Sequence, residues 1–147
     1  MYQSVQSETL EWSEVAMRRK SPGWPFYPLA ALLYVLVDLP WLLINSGNVQ
    51  NMVEDIQKQP LEFRVWAAVP VYVALAYLVS RANSSGEAFG LGVACYAVYD
   101  WTNMSTLSSY WWGFALADSV WGGVLTCIVF IILTHPRISP VWAAQRQ

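Results

Sequence analysis

Residues 26 to 45 read FYPLAALLYVLVDLPWLLIN, and their only charge is Asp38. An apolar run of roughly 20 residues, wound as a helix, matches the hydrocarbon core of a bilayer, so this stretch predicts a membrane-spanning helix. Similar apolar blocks follow at about 61–80, 88–104 and 113–134. The fold class they predict is all-α, a four-helix transmembrane bundle over residues 26–134. Upstream, residues 1–25 are polar, with Glu8 near the start and Lys20 near the end of a segment that suits a helix dipole lying on the membrane surface. Downstream, Pro136 and Pro140 predict that residues 135–147 form a short tail.

Composition points the same way. The 147 residues are 56% hydrophobic and 12% charged, against roughly 25% charged in an ordinary soluble domain. That is too little polarity to clothe a soluble globule. Net charge is −2 and the bases are scattered, which argues against an extended nucleic-acid surface. Cys95 and Cys127 sit in apolar stretches and read as small buried hydrophobes. With His135 alone beside them, a zinc site lacks ligands, so no metal and no cofactor is expected. No nucleophile–base pair or phosphate loop is visible and the connections are short, so the expectation is not an enzyme. Glu8, Glu11 and Glu14 precede the first bases and no apolar core follows them closely, so the first span is expected to serve as the insertion signal.

The connections carry their own pattern. Val49, Met52, Val53 and Ile56 recur at i, i+3, i+4, i+7 within residues 48–60, which predicts an amphipathic helix in the interface plane between helices one and two. Pro70 predicts a kink in helix two. The polar segment RANSSGE, 81–87, predicts a tight turn that makes helices two and three antiparallel neighbours. Tyr110, Trp111 and Trp112 form an aromatic cluster suited to the headgroup level. With four spans, one side of the membrane holds Arg18, Arg19, Lys20, Arg81, Arg137 and Arg146, and the other only Lys58 and Arg64. Bases are retained in the cytoplasm, so both termini are expected there.

Three aspartates fall within the spans: Asp38, Asp100 and Asp118. A charged side chain facing lipid at mid-helix costs about 3 kcal/mol on insertion scales, so each should face the bundle interior. No Lys or Arg lies inside a span, which leaves protonation or hydrogen bonding to neutralise them. Asp38 and Trp41 in DLPW, and Asp118 and Trp121 in DSVW, place an acid and an indole on one helical face. On helix three, YAVYDWTN pairs Tyr96 with Asp100, Tyr99 with Asn103, and Asp100 with Asn103 at one-turn spacing. These eight residues are the candidate site, an intramembrane polar cluster in which Asp100 meets Asp118 or Asp38. Small residues mark close backbone approach: Gly86, Gly90 and Ala94 on helix three, and Ala115, Ser119 and Gly123 on helix four.

Tyr99, Asp100, Thr102, Asn103, Thr106 and Leu107, followed by Asp118, Trp121 and Gly122 and preceded by Asp38 and Trp41, resemble the pattern of the membrane proteins grouped as domain of unknown function 2177. The resemblance covers about residues 26–134 and is more specific in the second half. It implies a compact four-helix membrane protein of cellular or viral membranes, and it implies no activity. Pro40 and the Tyr-Trp-Trp cluster depart from the pattern.

Two functions fit these residues. The first is a structural or accessory subunit that packs in the lipid bilayer against other membrane subunits or itself. The second is a small transporter or proton-coupled carrier built on the three aspartates.

Overall fold

The computed structural model describes residues 22–138 and Pro140. The expected N-terminal surface helix and most of the C-terminal tail lie outside the described residues. Within them the chain forms four helices, α1 (Phe26–Gln57), α2 (Val65–Arg81), α3 (Ser85–Thr106) and α4 (Trp112–Thr134), and no strand.

The first helix departs from expectation. Instead of a span followed by a separate interfacial helix, α1 runs unbroken for 32 residues, about 48 Å at about 1.5 Å per residue. The polar residues that suggested a break satisfy themselves along the helix: Asn45 Nδ2 donates to the Trp41 carbonyl at 3.0 Å and the Ser46 hydroxyl to that of Leu43 at 2.9 Å. Gly47 alone costs only about 1 kcal/mol in a helix. The amphipathic pattern is therefore the last turns of α1. Its apolar face meets the bundle through Met52, which is buried and whose sulfur accepts the Trp111 backbone N–H at 3.4 Å. The helix stops at Lys58, left-handed with φ 55° and its N–H on the Glu54 carbonyl.

The other boundaries shift by local chemistry. α2 starts at Val65 rather than near Leu61, and continues through Pro70. α3 starts three residues earlier than its apolar pattern, because Ser84 accepts the Glu87 N–H at 3.2 Å while the Glu87 carboxylate takes the Asn83 backbone and side-chain N–H groups. This reciprocal cap extends the helix into polar sequence.

α3 packs chiefly on α4, and α1 lies against α2 and α4. The short turn does join α2 to α3, yet the two touch only sparsely. What selects α4 as the partner of α3 is the absence of side chains. A Cβ on Gly92 would overlap the Gly122 carbonyl, and one on Gly122 would overlap the Tyr96 ring. Gly123 is likewise covered by Val93 and Phe89.

The apolar core joins Phe26, Ala30 and Tyr34 of α1 to Leu75 and Val79 of α2 and to Leu125, Val129 and Leu133 of α4. Large apolar side chains also cover the outside: Ile44 is 78% exposed and Trp66 72% exposed. Contiguous apolar exteriors of this kind mark membrane or protein contact. α1 and α4 are each long and apolar enough to cross a membrane, and α2 is a shorter apolar helix.

Candidate functional site

Asp38 and Trp41 are one turn apart on α1, as are Asp118 and Trp121 on α4. The indoles do not serve the acids of their own helices. Trp121 Nε1 donates to Asp38 Oδ1 at 2.8 Å, and Trp41 Nε1 donates to Asp118 Oδ1 at 2.6 Å. Position advances on one helix as it falls on the other, which is antiparallel pairing. The two indoles lie stacked between the acids, 5.1 Å apart and 11° from parallel.

Asp38 takes a second donor from a third helix: the Tyr72 hydroxyl of α2 lies 3.0 Å from its Oδ2. Both oxygens of this buried carboxyl are thus occupied. A carboxylate left without donors in such a setting is costly, whereas one bonded from two sides holds its neighbours in place. Tyr72 carries no local sequence signal, since its partner is 34 positions away.

Asp100 is fully buried on α3. Its donor is Tyr110, whose hydroxyl lies 2.6 Å from Oδ1. Sequence spacing pointed instead to Tyr96 and Asn103. Burial, reinforced by the bond to Asp100, pushes the Tyr110 phenol above its ordinary range, so it stays a donor. Asn103 stands beside that hydroxyl. The other oxygen, Asp100 Oδ2, is buried without a partner. Asp118 is half-buried and feels both other acids, Asp100 more strongly than Asp38.

Tyr96 sits on Gly122 and within electrostatic range of Asp38 and Asp118. Tyr99 is 65% exposed and bonds none of the three acids, though it lies within electrostatic range of Tyr110. The structure therefore brings together Asp38, Trp41, Asp118 and Trp121 as a bonded unit, with Asp100, Tyr96 and Asn103 beside it. Among the described residues no Lys or Arg pairs with any of the three acids. Of the small residues, Ala115, Ser119 and Gly123 are buried on α4, but Gly86, Gly90 and Ala94 are exposed. The seam on α3 runs through Gly92, which falls between the residues of the expected row.

A family model described as predicted membrane protein (DUF2177) matches residues 25–134. The chain belongs to the DUF2177 family. The match opens one residue before α1 and closes on the last residue of α4, so all four helices and the acid–indole network fall inside the DUF2177 region. Comparison with the curated proteins and with the solved structures gives no match.

Proposed function

We propose that this protein crosses the bilayer four times, with both termini cytoplasmic, and serves as a structural or accessory subunit rather than as an enzyme. The lengths of α2 and α3, 17 and 22 residues, fall within the span range of about 17 to 25. The orientation rests on the excess of bases on the side of the termini and the α2–α3 turn. The observation that carries the structural role is Asp38, whose two oxygens are taken by donors from two other helices. An acid bonded in this way acts as a cross-link between helices. The apolar exterior supplies surface for lipid and for other membrane subunits or a second copy.

Mild detergent solubilisation followed by native mass measurement tests the proposal. The expected result is a defined complex containing this chain. A lone monomer that moves protons down a gradient in liposomes would overturn it.

The unpartnered Asp100 oxygen favours a second reading, a small proton-coupled carrier. Four helices enclose only a thin pathway, so that reading calls for a dimer.

A further inference from the structure

We infer that Asp100 is a proton-binding site, holding one exchangeable proton on Oδ2 and communicating with the membrane face at the α3–α4 connection through Tyr110. Asp100 is fully buried, and its Oδ2 has no donor although Oδ1 has one. An ionised carboxylate here leaves an acceptor unsatisfied and places a negative charge in range of Asp118. A proton on Oδ2 removes the negative charge, and with it both the repulsion from Asp118 and the larger cost of burying an ionised carboxylate rather than a neutral acid.

Among the described residues no positive charge is paired with Asp100. Tyr110 faces Asp100 from the connection and Asp118 faces it from α4. Beyond Asp118 lies Asp38 of α1, with Tyr72 of α2 on its far oxygen, and Tyr96 shares the helix of Asp100. None of these groups is cationic. Among the described residues no trio of His, Cys, Asp or Glu is arranged to hold a metal ion, so a lone carboxyl oxygen suits a proton better than an ion that needs several oxygens.

The route follows from position. Asp100 lies six residues before the end of α3 at Thr106, about 9 Å along the axis at about 1.5 Å per residue. Tyr110 belongs to the connection itself, between Thr106 and Trp112. Its hydroxyl donates to Asp100 Oδ1 and retains lone pairs for a donor from outside. As the tyrosine oxygen accepts an incoming proton it passes its own hydroxyl proton to Oδ1, and rotation of the carboxyl carries that proton to the Oδ2 position.

The site goes beyond the structural role and stands with either reading above, because it is read from a carboxyl signal and not from co-purification. The test is infrared difference spectroscopy on the full-length protein in lipid nanodiscs, stepping pH at fixed salt and then NaCl at fixed pH. Among the pH-responsive carboxyl bands of the wild type, one should have the high frequency of a buried, weakly hydrogen-bonded protonated acid, and Asp100→Asn should lack that band. Tyr110→Phe removes a donor to the ionised form and should tighten proton binding roughly tenfold, moving the midpoint to higher pH. A folded Asp100→Asn that keeps the high-frequency band overturns the assignment, as does a band that follows NaCl and ignores pH. Should Asp100→Asn fail to fold, Tyr110→Phe decides, and an unmoved midpoint counts against the proposal.

Discussion

Trp41 and Trp121 lie face to face, 5.1 Å apart, and each gives its indole N–H to the aspartate one turn from the other. The exchange is reciprocal, so sliding α1 along α4 by one turn breaks both bonds at once. Trp41→Phe and Trp121→Phe keep an aromatic ring and remove one donor each. Each should destabilise the protein by about 1 kcal/mol, the range of polar contacts between membrane helices. A double-mutant cycle on unfolding in mixed micelles should show the two losses to be non-additive. Strict additivity would mean that the indoles act independently.

The glycine seam makes a sharper contrast. Gly92→Ala places a methyl group on the Gly122 carbonyl, a backbone atom that cannot swing aside. A loss of about 3 kcal/mol is expected, at the upper end of ordinary overpacking. Gly90→Ala meets open space and, relieved of glycine's helix cost of about 1 kcal/mol, should leave the same thermal melt unchanged or slightly higher. Equal melts for the two variants would place the seam elsewhere.

Tyr110 makes stability sensitive to alkali. Its folded value is raised from the ordinary 10.0 by burial first and then by Asp100. The folded state therefore holds this proton more tightly than the unfolded state. Its contribution is full below about pH 10 and is lost as pH rises past that point. Melting curves at pH 8 to 11 should fall more steeply for the wild type than for Tyr110→Phe. Parallel curves would remove Tyr110 from the linkage.

Topology is open to direct labelling. After Cys95, which is exposed, and Cys127 are replaced, single cysteines at Ser85 and at the C-terminus should react from the cytoplasmic side. A cysteine at Gln57 should react from the opposite side. Labelling of Ser85 only from outside would invert the orientation.

The helices were legible in sequence because their signals are local, apolar length and the prolines beyond the last of them. The equally local Ser84 cap was not read, and α3 begins three residues early. The seven-residue rhythm of Val49 to Ile56 was also real, but rhythm does not record whether a helix is separate or continuous, and Asn45 and Ser46 kept α1 whole by bonding backwards. The acids, too, stood out by their cost in apolar sequence. Their donors did not. Tyr72, Tyr110 and the crossed tryptophans lie 34, 10, 77 and 83 positions from the acids they serve, and one-turn spacing cannot see across helices. The row Gly86, Gly90 and Ala94 shows the same limit, since periodicity gives a stripe of small residues without saying which stripe meets a partner.

The separations between donors and acids also set an order of assembly. Asp100 finds Tyr110 within the α3–α4 hairpin, so that acid is satisfied as soon as two adjacent helices meet. Asp38 emerges from the ribosome with α1 and waits for Trp121, 83 residues later. Short loops close before long ones, so the hairpin should form early and α1 should dock onto it last. Until then Asp38 lacks its α4 donor. A chain truncated before α4 therefore leaves Asp38 Oδ1 without its indole donor, with only the Tyr72 hydroxyl of α2 left to hold the acid.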